Sequence, residues 1–168
     1  LSSPSSEFKL PLASLTFGLN YLLTGTNPFW MKATNLLVHL LNGWLAFLIA
    51  RLILRLLSGR SDSGDACRSD ISAALVAGAW LLLPINLTAV LYVVQRMESL
   101  ANLFVFAGLL GYIHVRRKMQ TDRRRRWSIL AGVTLVVPTA FGVLAKETAV
   151  MLPMYALVAE ALLFRCRS

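Results

Sequence analysis

Four residues, Gln95-Arg96-Met97-Glu98, interrupt an apolar run that otherwise extends from Ile71 to Val115 without an Asp, Glu, Lys or Arg. The run is about twice the roughly 20 residues that cross a bilayer. A soluble core would not hold a charged pair at the centre of such a run, and a single membrane span would not be so long. Basic residues flank both ends: Arg68 before it, Arg116-Arg117-Lys118 after it. Basic flanks on one side of the membrane imply an even number of crossings. The run therefore doubles back, with Arg96 and Glu98 at the turn. The run from Trp127 to Phe164 repeats the design, between Arg123 to Arg126 and Arg165 and Arg167. Its charges near the midpoint are Lys146-Glu147, and Glu160 lies near the basic end, about one turn from Arg165. An ion pair near the interface is the expected use of Glu160. Two hairpins thus each lift a cation and an acid to the same face.

The charge distribution separates a membrane reading from a nucleic-acid one. A net charge of +9 invites the second. Yet 13 of the 17 Lys and Arg fall between the apolar runs or at their ends, on the side expected to be cytoplasmic. Lys9, Lys32, Arg96 and Lys146 fall on the other. That is the positive-inside bias, and it makes no nucleic-acid partner necessary. The basic flanks also suit anionic membrane lipid. Charged residues make up 15% of the chain, against about 25% in soluble domains. Cys67 and Cys166 both fall on the basic side and lack metal-ligand spacing, so neither a disulfide nor a metal is expected. Phosphate-binding glycine loops, HExxH, CxxC and GxSxG motifs do not occur.

The expected fold is all-α, a polytopic transmembrane helix bundle of about five spans, near residues 29–57, 71–94, 98–115, 127–145 and 148–164. Residues 1–28 are expected to form an external loop or an interfacial segment, closing on the turn cluster Thr24-Gly25-Thr26-Asn27-Pro28. Pro84 ends or kinks the second span, so Ile85 to Val94 either continues it or lies in the outer interface; the second is preferred. Ala74 and Gly78 offer a small-residue pair for helix packing, and Gly108 and Gly111 form notches in the third span. The stretch Arg116 to Arg126, with seven basic residues, reads as a loop. The missing initiator Met and the abrupt basic end suggest a window within a longer polytopic protein.

Within the first span Asn35, His39 and Asn42 recur at i, i+4 and i+7 and share one helix face. They form either an interhelical hydrogen-bond stripe or the wall of a cleft. The cations at the apices run against the topology bias and need another use. Arg96 pairing with Glu98 or Glu147, and Lys146 with another acid, would close the hairpins. Alternatively, Arg96 offers a planar fork and Lys146 a point charge to a phosphate at the membrane surface, with Glu98 and Glu147 holding the cations apart.

These residues carry a resemblance. Pro11-Leu12, Leu15-Thr16-Phe17, Leu19-Asn20-Tyr21, Gly25 and Pro28 are followed by Asn35-Leu36-Leu37-Val38-His39. Then come Leu83-Pro84-Ile85, Val90, Tyr92-Val93, Gln95 to Glu98, and Ala145-Lys146-Glu147. In order and spacing the chain resembles the membrane domain of protein O-mannosyltransferase-like glycosyltransferases of the C superfold, the type followed by tetratricopeptide repeats. It departs at Leu10 and Leu83, where many members have Arg and His.

The resemblance implies an integral membrane enzyme of a bacterial inner membrane or an endoplasmic-reticulum membrane. Such an enzyme takes its sugar from a polyprenyl-phosphate carrier, without a further cofactor. It passes the sugar to an acceptor such as a protein hydroxyl on the extracytoplasmic side. It also implies a catalytic carboxylate upstream of Leu1, so the segment alone is expected to be inactive. Arg96 and Lys146 are the expected lipid-phosphate ligands, supported by Glu98, Glu147, His39 and Asn35. A transporter or flippase domain and a non-catalytic assembly protein are the competing readings. The first is expected to show inverted repeats and charges nearer the midplane.

Overall fold

A computed structural model of the chain describes residues 11–25, 27–57, 63–92, 95–121 and 125–164. They form seven α-helices: α1 Pro11–Thr24, α2 Pro28–Leu57, α3 Ser63–Leu82, α4 Pro84–Leu91, α5 Arg96–Thr121, α6 Arg125–Ala145 and α7 Leu152–Ala159. A 3-10 turn, Glu147–Met151, leads into α7, and a π turn, Glu160–Phe164, ends it. Helices α2, α5, α6 and the stretch Glu147–Phe164 are each long and apolar enough to cross a membrane. The bent pair α3–α4 makes a fifth candidate. The bundle is all-α and polytopic, as the doubled apolar runs imply.

Local chemistry sets the breaks. Gly25 takes φ +63°, a left-handed conformation that glycine enters without a Cβ clash, and its N–H donates to Tyr21 O at 2.9 Å. Asn27 Oδ1 then accepts the Phe29 N–H at 3.0 Å, and Pro28 opens α2 where its missing N–H costs nothing. The turn cluster therefore separates two helices, and the segment before it is the helix α1. At Leu83-Pro84 the chain bends by 56°. Pro84 starts α4, and Asn86 Nδ2 donates to Trp80 O near the end of α3, which also accepts the Leu83 N–H at 3.3 Å. Val93 and Val94 lie outside the described residues.

Close packing rests on small residues. Gly108 faces the Pro138 ring of α6 and Leu152: a Cβ there would stand 2.9 Å from Pro138 Cβ and 2.6 Å from Leu152 Cδ2. Gly111 faces Thr134, where a Cβ would stand 3.2 Å from Cγ2. Both notches expected in the third span are thus occupied. The small pair in α3 is offset by one residue. Ala73 and Ala77 are buried, whereas Ala74 is exposed and a Cβ on Gly78 would meet nothing within 4 Å. Periodicity finds a small-residue stripe; only the neighbour α2 decides which edge of it is covered.

Gly142 of α6 is a tighter contact, since a Cβ would lie 2.5 Å from Ala149 Cβ and 3.4 Å from Phe104 Cβ. Gly142→Val should push the Glu147–Met151 turn off α6 at a cost of about 1–3 kcal/mol. An SDS unfolding titration of the full-length protein reads this as a lower midpoint; an unchanged midpoint would show that this contact is slack.

Two apolar clusters fill the bundle. Val38, Leu100, Ala101, Val105, Ala145, Ala149 and Leu152 lie toward the apices, and Ile113, Ala159, Leu163 and Phe164 toward the basic end. Outward-facing Leu22, Leu75, Val136 and Leu157 are 68% exposed or more, as suits side chains that meet lipid.

The basic end is tied by ion pairs. Arg51 and Arg55 each grip Asp70 through both Nε and Nη2, at 2.8 to 3.2 Å, joining α2 to α3. Glu160 accepts from Arg116 and from Tyr112 Oη, joining the π turn to α5. The expected ion pair of Glu160 exists, with Arg116 as partner; Arg165 lies outside the described residues. This pair explains a difference from the sequence reading. The stretch expected to be a loop from Arg116 stays helical through Thr121 and resumes at Arg125. Arg116 is held by Glu160, Lys118 lies 5.2 Å from the centre of the Trp127 ring, and cations suit a helix C-terminus.

Candidate functional site

Both hairpin apices come to one end of the bundle, where α2, α4 and α5 enclose a polar space. The first apex is organised around Arg96, which is 1% exposed. Its Nε donates to Asn35 Oδ1 at 2.7 Å, its Nη2 to Met31 O at 3.0 Å and its Nη1 to Thr16 O at 3.5 Å. The guanidinium lies 4.6 Å from the centre of the Phe17 ring. Arg96 thus joins α5 to α2 and α1. Its partners are a side-chain amide and two carbonyls, and α1 covers it.

Glu98, next on α5, takes Lys146 of the second apex as its ion-pair partner. Lys146 is held in place by its N–H to Gly142 O at 2.8 Å and its O accepting the Ala149 N–H at 3.2 Å. Glu98 and Lys146 are each about a third exposed, at 31% and 41% of their side chains, so water reaches the pair. Glu147 is exposed beside it. The structure therefore brings Glu98 and Lys146 together and keeps Arg96 in a separate, buried network.

The Asn35, His39, Asn42 stripe points into the bundle, with exposures of 0%, 7% and 2%. Asn35 Nδ2 reaches Val90 O at 3.4 Å and Tyr92 O at 3.3 Å, tying the end of α4 to α2. The His39 ring stacks on Trp80, with centres 5.6 Å apart, and its Nε2 lies 3.3 Å from Leu81 O, a carbonyl to which it can only donate. Asn42 Nδ2 donates to Ser99 O at 2.8 Å. A carbonyl can only accept, so the amide orientation is set, and Asn42 Oδ1 is left buried without a partner.

Beside these residues is a cavity of about 220 Å³, lined by His39, Asn42, Trp80, Asn86, Thr88, Gln95, Glu98, Ser99 and Asn102 among others. Half of this wall was not singled out from the sequence. Gln95, just before α5, and Glu98, Ser99 and Asn102 within it recur at i, i+3, i+4 and i+7, a second polar stripe that faces the one on α2. The same spacing that reveals Asn35, His39 and Asn42 reveals these four. Amides, hydroxyls and one carboxylate can hold a neutral, hydroxyl-bearing group here, and that carboxylate, Glu98, has Lys146 as its ion-pair partner. Among the described residues no three His, Cys, Asp or Glu side chains gather to ligate a metal.

No protein-family model matches the sequence, and no solved structure matches the fold. Curated relatives do match. The chain is 33% identical over 129 residues to Protein O-mannosyl-transferase Tmtc3 of Drosophila melanogaster, covering 73% of this chain and 14% of the relative. It is 33% identical over 141 residues to Protein O-mannosyl-transferase Tmtc1 of the same fly, covering 83% of this chain and 14% of the relative. It is 31% identical over 137 residues to Protein O-mannosyl-transferase TMTC3 of Homo sapiens, covering 82% of this chain and 13% of the relative. The chain therefore spans about one seventh of the length of the curated relatives it matches. Over that span it is homologous to these protein O-mannosyl-transferases and is consistent with a fragment of an O-mannosyl-transferase-like membrane protein.

Proposed function

We infer that this chain is part of a membrane glycosyltransferase that moves a sugar from a polyprenyl-phosphate carrier to a protein hydroxyl, on the extracytoplasmic side. The observation that carries this reading is the Glu98–Lys146 pair, which sets a part-exposed cation against a carboxylate that lines a polar cavity, in a chain with O-mannosyl-transferase relatives. The animal relatives favour an endoplasmic-reticulum membrane over a bacterial inner membrane.

The reaction is a displacement at the anomeric carbon. A carboxylate beyond this segment takes the proton of the acceptor hydroxyl. The bond to the carrier breaks, and the lipid phosphate leaves with its charge. Lys146 offsets that growing charge, which lowers the barrier because the interaction is strongest in the transition state. Glu98 holds Lys146 in place between turnovers. Arg96 adds its charge from behind and ties α1 and α2 to α5, two of which shape the site, with Asn35 as its anchor. His39 and its neighbours line the space for the sugar, and Glu147 faces the water side of the apex.

The donor class is tested with the full-length protein in membranes, given a serine- and threonine-bearing acceptor. Mannose supplied on a polyprenyl phosphate should be transferred. Equal transfer from a nucleotide-linked mannose, with polyprenyl phosphate absent, would sink the reading.

A further inference from the structure

A second concavity lies at the other end of the bundle, far from the apices. Helices α2 and α7 both pack on α5, yet among the described residues they do not pack on each other; α2 meets only the π turn below α7. The wedge between them is an apolar groove of about 520 Å³, lined by Ile53, Leu57, Leu109, Ile113, Val158 and Leu162 among others. It runs along α5 from Val105 to Ile113, about 12 Å at 1.5 Å per residue. The Arg116–Glu160–Tyr112 cluster borders its basic end on α5 and the π turn.

One cation continues the groove. Arg117 is exposed and stands four residues beyond Ile113, on the same face of α5 and about 6 Å further along. The neighbouring acids are already engaged: Asp70 by Arg51 and Arg55, Glu160 by Arg116 and Tyr112. No carboxylate among the described residues pairs with Arg117.

We propose that this groove holds one acyl chain of an anionic phospholipid, with the headgroup phosphate on Arg117. A cation just beyond an apolar lining favours a phospholipid, which carries an apolar chain and an anionic headgroup, over an apolar helix. The lining offers an acyl chain continuous apolar contact, with the Tyr155 hydroxyl as its one polar side-chain group. The arginine sits where a phosphate stands when its chain lies in the groove, and a guanidinium pairs with phosphate through two parallel donors. The site is separate from the apex cavity and independent of the sugar reaction.

Native mass spectrometry of the full-length protein, released from membranes and offered phosphatidylglycerol or phosphatidylcholine with the same acyl chains, tests this. One phosphatidylglycerol should be retained in preference to phosphatidylcholine. Arg117→Glu should reduce its retention at least about fivefold and leave phosphatidylcholine unchanged. Val158→Trp, on an exposed wall position, should fill the groove and lower retention of both. Equal retention of the two lipids by the unaltered protein would overturn the proposal. So would retention that survives either substitution, or no retained lipid at all, as when a further helix of the protein covers the groove.

Discussion

Arg96→Met is expected to cost the folded bundle about 2–3 kcal/mol, the scale of losing charge-assisted hydrogen bonds and stranding a buried acceptor. Methionine keeps much of the length and apolar stem, so the loss is mainly polar. Met31 O and Thr16 O are helical carbonyls and keep backbone partners. Among the described residues Asn35 Oδ1 has no other donor, and Asn35 is fully buried. The contact with Phe17 also goes, and with it a tie to α1. Removing a buried charge relieves its desolvation, which limits the loss. Arg96→Lys should recover little, because one ammonium cannot reach acceptors on three sides. The double variant Arg96→Met/Asn35→Leu should be less destabilised than the sum of its parts, since it removes the stranded amide. SDS unfolding of the full-length protein reads all three. A midpoint unmoved by Arg96→Met would show that the network contributes nothing.

The charge pattern made the hairpins legible. A charged pair at the centre of a doubled apolar run has one comfortable position, the turn at the membrane surface, and both apices are found at one end. The Asn35, His39, Asn42 stripe was legible for the same reason: polar groups on one helix face avoid lipid by turning inward. What each apex residue touches was not legible. Arg96 and Glu98 stand two residues apart, yet one is buried beneath α1 and the other is paired with Lys146. Two residues along a helix is about 200° of rotation, so the neighbours on each side decide the outcome. That α1 folds over the first apex depends on contacts from Thr16 and Phe17, 79 or more residues away in sequence. Glu160 likewise finds Arg116 on another helix, because the chain pairs across α5 and not along its own turn.

Lys146 carries the largest expected effect on activity. In the full-length protein Lys146→Gln should lower transfer at least about tenfold, or about 1.4 kcal/mol of transition-state stabilisation. Glu98→Gln breaks the same ion pair from the other side. If the pair only closed the hairpins, the two substitutions would damage the protein alike. If Lys146 meets the leaving phosphate, they part company: Glu98→Gln leaves the cation in place and freer to bind an anion.

Affinity for polyprenyl phosphate, the leaving group itself, separates these outcomes, measured as inhibition of transfer by the full-length protein at matched protein level. Lys146→Gln should weaken the inhibition at least about tenfold, while Glu98→Gln should leave it unchanged or strengthen it. Equal affinity in the unaltered protein and the Lys146→Gln variant would contradict a phosphate site at the hairpin apices.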